Sequence, residues 1–319
     1  MEGKGMGPFR LAPWFSPRVW GRQNLRPWYA STGTTELVGE AWLTGPECVV
    51  ETGALAGRTL ASVVAERGEE ILGTAAASGG ICEFPLLVKM LFPNEKLSVQ
   101  VHPDDVHAQA MGQPRGKTEC WYVLEAEPGA AVALGLKDGV TVAALGDSVA
   151  SGTMEELLEW VPVSVGDMIF VDAGTVHAIG PGVVLLETQQ TCDVTFRLYD
   201  YGRPRELHLE QGLKVMKTET AAGKVKPVEM DALGGGFRRL IEQRYFVVDR
   251  YEVGAGSEAV VPLEGPGCLV GLKGSGVVTC EGSDAVELVA GRAVVVPMGL
   301  GPVVVESEAG ASFVRCFEP

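Results

Sequence analysis

Strict alternation of polar and apolar residues is the clearest signal along the chain, and it is concentrated in three segments. In Lys96-Leu97-Ser98-Val99-Gln100-Val101-His102, Leu97, Val99 and Val101 fall on one side of a strand, while Ser98, Gln100 and His102 share the other. The run Lys117 to Leu124 places Lys117 and Glu119 on one face. Residues 187–197 hold Glu187, Gln189, Asp193, Thr195 and Arg197 at equal parity, so an unbroken strand would display all five together. Three strands with a polar inner face are odd for a packed sandwich; they suit a small barrel with a polar pocket.

Helical spacing is rarer. Leu60, Val63 and Val64 recur at i, i+3, i+4 and predict a helix from Gly57 to about Leu72. Leu209, Leu213 and Met216 predict a second one after Pro204, with His208 off its apolar stripe and read as a surface histidine. Residues 8–50, with Trp14, Trp20 and Trp28 among many turn formers, read as a segment wrapped onto a core, the tryptophans packing there, with lining of the pocket mouth as the alternative. Residues 218–240 read as a linker with a glycine triplet. Beyond it, 244–319 returns to short Val-rich strands. Two β domains are expected: 1–235, with the wrapped segment and the helices, and a smaller one over 236–319. The spacing Gly166-x5-Asp172-x-Gly174-x2-His177 is echoed by Gly291-x5-Pro297-x-Gly299-x2-Pro302, which reads as duplicated strand-turn-strand architecture with a histidine in the first copy only.

Composition narrows the partners. At 319 residues the chain fits two domains. A net charge of −15 argues against nucleic acid and anionic membrane, and an anionic substrate then needs a local cluster of Lys and Arg. The seven cysteines form no CxxC pair and read as buried thiols of a reducing compartment, so the expected location is the cytoplasm. Neither a signal-type apolar run at the N-terminus nor a membrane-length apolar stretch is seen.

Two of the four histidines carry the candidate chemistry. Gln100, His102, Glu119 and His177 offer two nitrogens and two oxygens, a set that suits zinc and leaves manganese, iron or cobalt open. With room for water or substrate, such a set is catalytic. Spacing alone carries this only part way, since two histidines and a glutamate in a β protein are commonly unrelated. Lys89, inside an apolar run, reads as a lysine snorkelling from the edge of the core. Lys96 is a weaker candidate, and His107 reads as a non-ligand.

The segments FPLLVK (84–89), LSVQVHPDD (97–105), GKTECWYVL (116–124), GTVHAIGPG (174–182) and ETQQTCDVTFRLYD (187–200) resemble class I mannose-6-phosphate isomerase in its short bacterial form, in the family's order over most of residues 8–215. RVWGRQNL (18–25) resembles an early signature of that family, with Arg22 in place of a second glycine; Cys192 stands where a serine is often found. The resemblance implies mainly β, cupin-type jelly-roll barrels with helical additions on the first. It implies one Zn2+ per chain, or another divalent metal, held by Gln100, His102, Glu119 and His177. It also implies a sugar-phosphate substrate, with Ser98, Lys117 and Arg197 as substrate contacts and Arg197, Glu187, Asp193 and Lys117 as catalytic positions. The C-terminal domain then lacks the ligands, and the chain is a monomer or small homo-oligomer.

Isomerising an aldose to a ketose moves a proton between adjacent carbons through an enediol-type intermediate, which needs charge stabilisation on two oxygens and a group poised for proton transfer. Which residue is the base stays open. Lys117 can bind phosphate, or act as a base if its pKa is depressed, and Arg197 can instead be a structural partner of Asp193 or Glu187. Two rival readings remain: a metal cupin enzyme of other specificity and a non-catalytic sugar-binding cupin.

Overall fold

The computed structural model describes residues 6–74, 82–231 and 236–319. These are mainly β, in three antiparallel sheets with short helices attached. A seven-stranded sheet runs, in spatial order, Gly223–Val225, Met168–Val171, Glu119–Ala126, Val183–Gln190, Leu86–Leu91, Val38–Trp42, Trp14–Arg22. A five-stranded sheet runs Phe196–Tyr199, Val99–Val101, His177–Ile179, Ala131–Leu136, Leu158–Pro162. The two pack face to face as the alternation requires. Apolar residues of both, among them Trp121, Val123, Leu185, Val132 and Ile179, fill one part of the interior, and the polar residues of the alternating strands line the other.

The other face of the seven-stranded sheet is apolar too. Val88, Cys120, Tyr122 and Leu186 join Leu60, Val63, Val64 and Ile71 of the helix Leu60–Leu72 in one core. Every residue of Leu86–Leu91 is therefore buried, which is why that strand reads as a continuous apolar run. The same core takes in Phe246, Val248, Val270, Val314 and Cys316 of the third sheet. The helix starts at Leu60, three residues later than expected, capped by Thr59, whose hydroxyl accepts the Ser62 N–H. The second helix, Leu209–Val215, packs Leu209, Leu213 and Met216 outside the five-stranded sheet.

In the third sheet the long strand Gly267–Thr279 pairs with Ala293–Val296 and Ala311–Phe317 along its first half. Its second half pairs with Val286–Val289 and Val303–Ser307, folding the sheet over a core of Tyr251, Leu269, Val278, Val294, Val305 and Phe313. Both copies of the glycine echo are strand, turn, strand: Met168–Val171 then His177–Ile179, and Ala293–Val296 then Val303–Ser307.

Three expectations need correcting. The expected linker is largely sheet: Gly223–Val225 pairs with Met168–Val171, and Val228–Met230 with Phe237–Glu242. Both are short edge strands, whose polar residues look like a linker in sequence. Part of the glycine triplet lies outside the described residues. The N-terminal segment does not stay wholly with the first half: Trp14–Arg22 and Val38–Trp42 do, but Phe9–Leu11 is an edge strand on Ala293–Val296 of the third sheet. Finally, the 187–197 strand is broken: the chain leaves one sheet at Gln190 and joins the other at Phe196.

Candidate metal centre and active site

Register places the polar side chains. In the five-stranded sheet Gln100 lies opposite His177 on one side and Arg197 on the other. In the facing sheet Trp42, Lys89, Glu187 and Trp121 are successive cross-strand partners.

His102 and His177, each 1% exposed, aim their Nε2 atoms at the carboxylate of Glu119, also 1% exposed. His102 Nε2 lies 3.6 Å from Oε2, and His177 Nε2 lies 3.4 Å from Oε1. Each Nδ1 faces a backbone carbonyl at 2.9 Å, that of Val194 for His102 and of Thr175 for His177. Those carbonyls fix Nδ1 as the protonated nitrogen and leave both Nε2 lone pairs facing inward, as in histidines that bind metals. Burial, with Lys117 acting in the same direction, pushes His177 down to about 4 and His102 well below the ordinary imidazole value. Both rings are neutral near pH 7. Lone pairs thus converge on a buried carboxylate whose Oε1 has no hydrogen-bond partner among the described residues, and a cation resolves that arrangement. Gln100 adjoins the three, its amide nitrogen 3.3 Å from His177 Nε2 and its oxygen accepting from Ser98 Oγ at 3.2 Å. Half a turn of the amide would present the oxygen instead.

Lys117 supplies the nearest positive charge. Its Nζ lies 3.0 Å from His102 Nε2 and 3.0 Å from Glu119 Oε2. Burial would lower its pKa, but Glu119, Glu187 and Asp193 outweigh burial and hold it raised. The depressed pKa that a lysine base requires is therefore not found.

Lys89 corrects the snorkelling expectation. Its strand is covered on both faces, so the ammonium has no route to bulk water and ends inside the site. Nζ lies 3.2 Å from Asp193, 3.7 Å from Glu187, 4.0 Å from Glu40, and 4.7 Å above the Trp42 ring. Burial and the charge of Glu119 raise Glu187 to about 7, while Trp121 Nε1 donates to its Oε1. Asp193 goes the other way: against burial, Lys89 and Lys117 hold it below the usual carboxylate range.

Lys89, Glu40, Lys117 and the two carboxylates line a cavity of about 440 Å3, a size typical of small-molecule sites, while His102, Glu119 and His177 lie beside Gln100 and Lys117 of its lining. Ser98, Gln100, Lys117, Glu187, Asp193, Thr195 and Arg197 all reach it. Gln189 does not, and spends its amide on the carbonyls of Gln190 and Cys192. Arg197 makes no ion pair with Asp193 or Glu187 among the described residues; one Nη donates to the Glu206 carbonyl and its buried Nε has no hydrogen-bond partner. Two arginines join it that the sequence reading passed over. Arg18 is gripped by Glu40 at 3.0 and 3.1 Å, and Arg205 by Asp200 at 2.6 and 2.7 Å. Burial and the repulsion of Arg205, Arg203 and Arg18 lower the Arg197 pKa. Arg18 stands two residues before the recognisable Trp-Gly pair, but nothing in the sequence marks Arg205. Trp20 does both things weighed for the tryptophans, packing in the core and lining the cavity.

Other singled-out residues lie elsewhere. Lys96 pairs with Glu155, and His107 with Asp104 on the surface. His208 is half-buried rather than superficial, its Nδ1 accepting the Arg197 N–H. Arg22 donates to the carbonyls of Phe92, Pro93 and Val183, a structural clamp that explains the lost glycine. Two larger cavities hold none of the site residues. One is lined by four glutamates without a Lys or Arg, the wrong charge for an anion.

The family model for the catalytic domain of type I phosphomannose isomerase matches residues 9–136. A mannose-6-phosphate isomerase of Streptococcus mutans is 35% identical over 77% of this chain and 79% of its own length. Mannose-6-phosphate isomerase ManA of Bacillus subtilis is 37% identical over 66% of the chain and 68% of its own. The crystal structure of mannose 6-phosphate isomerase from Bacillus subtilis superposes with a TM-score of 0.84 at 28% identity, covering 98% of this chain and 99% of that one. A 35% identical relative matched over more than two thirds of both chains is common descent, and the chain belongs to the mannose-6-phosphate isomerase family.

Proposed function

We infer that the protein interconverts mannose 6-phosphate and fructose 6-phosphate, with zinc as the resident ion. One observation carries the reading: two neutral histidines turn their Nε2 lone pairs toward the Glu119 carboxylate, and Gln100 and Lys117, which adjoin them, line a cavity shared with Arg18, Arg197 and Arg205. Guanidiniums that repel one another at one mouth favour a ligand that is itself anionic, and they match phosphate geometry. A neutral sugar leaves that repulsion in place.

His102, Glu119 and His177 would hold the ion, with Gln100 completing the set after its amide turns. A divalent ion there would supply Lewis-acid stabilisation of charge developing on a sugar oxygen. Lys117, which lines the cavity and is held protonated, would donate to a sugar oxygen. Glu187 and Asp193 are two carboxyls whose environments push their pKa values apart, which is how acid and base roles are divided. Glu187, titrating at about 7, is the better suited of the two to take a proton from one carbon and return it to the next. Lys89 orients both carboxylates from below, and Arg197 contributes a charge that never leaves. Seven free cysteines support a reducing compartment, the cytoplasm.

A coupled assay for fructose 6-phosphate formed from mannose 6-phosphate, run with and without chelator, tests the reading. Chelator-sensitive turnover is expected. Metal binding without turnover would favour the sugar-binding rival, and turnover untouched by chelator would overturn the metal's role.

A further inference from the structure

Asp105 opens the helix Asp105–Ala110, three residues past His102, and its carboxylate gathers three donors from three other parts of the chain. Oδ1 accepts the Gly116 N–H at 2.8 Å and the side-chain amide of Gln190 at 3.0 Å. The same Gln190 accepts the Thr118 N–H through Oε1 at 3.0 Å, between Lys117 and Glu119. Oδ2 accepts the hydroxyl of Tyr245 at 2.8 Å, a residue 140 positions further on. Tyr245 sits in the turn between the strands Phe237–Glu242 and Val247–Val253 of the third sheet. None of Asp105, Gln190 and Tyr245 lines the cavity.

We propose that Tyr245, Asp105 and Gln190 are positioning residues, a relay through which the C-terminal half sets the spacing of His102 and Glu119 and so the affinity for a divalent cation. The proposal rests on the metal reading above. His102 directly follows the strand Val99–Val101 of one sheet and Glu119 opens the strand Glu119–Ala126 of the other, and the segments that carry them are fastened by the Lys117 N–H to the Pro103 carbonyl at 2.9 Å and by the Asp105 cluster. Every partner of Asp105 is a donor, so an acceptor-only carboxylate fits and an amide does not. A metal site binds tightly only where its ligand atoms are held at the right separation before the ion arrives.

The test is cobalt(II) affinity of the full chain, measured by competition with a chromophoric chelator, alongside the melting temperature of the metal-free protein. Losing an outer partner of a metal site typically costs 10–100-fold in affinity, so Asp105→Ala is expected in that range and Tyr245→Phe, one step further out, at about three- to tenfold. Tyr245→Phe should add nothing in the Asp105→Ala background, because the two act through one route. A Tyr245→Phe protein that melts earlier yet binds cobalt as tightly as the parent would overturn the proposal, as would full additivity. Cobalt binding by the parent chain that His102→Ala leaves unchanged would overturn the metal centre itself, and this relay with it.

Discussion

At the residue scale the site is a balance between buried cations and anions, and its pH behaviour can be worked out. In the metal-free protein His177 has fallen from 6.5 to about 4, and His102 also lies well below 6.5. A group depressed in the fold is protonated first in the unfolded chain, so the stability linked to it is complete above pH 6.5 and is lost as pH falls through 4. Glu187 has risen from 4.5 to about 7, so its contribution is complete below pH 4.5 and is lost as pH rises through 7. The two effects oppose each other between pH 4.5 and 6.5. Glu187→Gln removes one of them and also withdraws a charge that raises His177. The melting temperature of metal-free Glu187→Gln should therefore fall more steeply from pH 6.5 to 4.5 than that of the parent; an equal or shallower slope would contradict the assignment. His177→Ala should leave a folded chain that no longer retains zinc on gel filtration. Lys117→Met should keep its zinc and lose about 10²–10⁴-fold in turnover, the usual range for a positioned proton donor. Gln100, His102, Glu119 and His177 were legible because each stands in an alternating strand or a recognisable motif. Lys89 was misread because a lysine in an apolar run has two fates, and only the cover on both faces of its strand decides between them.

At the element scale, the strand Val99–Val101 was the most legible because Ser98 and Gln100 face the cavity while Val99 and Val101 face an apolar core. Edge strands such as Gly223–Val225 and Val228–Met230 were not, since exposed edges carry polar residues just as linkers do. The break after Gln190 was hidden for a related reason: Asp193 and Thr195 reach the cavity from a connection between sheets, so parity placed them correctly on a strand that is not there. Close approaches are equally silent in sequence. Gly116 faces the turn after His102 so tightly that a Cβ would lie 2.4 Å from the Asp104 carbonyl carbon, 2.6 Å from the Asp105 nitrogen and 2.8 Å from the Pro103 oxygen. All three are backbone atoms and cannot rotate away. Gly116→Ala should cost about 1–3 kcal/mol, as overpacking does, and should weaken zinc binding by displacing Lys117 and Glu119. Gly112→Ala is the matched control: its φ of +78° strains an alanine by about 1–2 kcal/mol, but nothing lies within 4 Å of the new methyl. Chemical denaturation and chelator competition on both variants separate the effects. Equal zinc affinity in the two would remove Gly116 from any account of the site.

At the scale of the whole molecule, the division into 1–235 and 236–319 is a proposal about ancestry and architecture rather than about independent folding. Its support is the echo of strand, turn and strand in both halves, the first bearing His177 and the second Pro302. The packing joins what the sequence seems to divide. One apolar core takes Val64, Phe84 and Val88 from the first half and Phe246, Val248, Val270 and Cys316 from the second. The strand Phe9–Leu11 crosses over to complete the third sheet, and Tyr245 crosses back to hold Asp105. Cutting at 235 would bare that core on both pieces, at about 25 cal/mol for each Å2 of apolar surface returned to water. The full chain should therefore melt in one cooperative transition in which circular dichroism and intrinsic tryptophan fluorescence coincide, all six tryptophans lying before residue 161. A 1–235 fragment should show no cooperative transition of its own and should regain one, together with zinc binding, when 236–319 is supplied in trans. A fragment that melts cooperatively and binds zinc unaided would show the first barrel to be self-sufficient and reduce the second to an appendage.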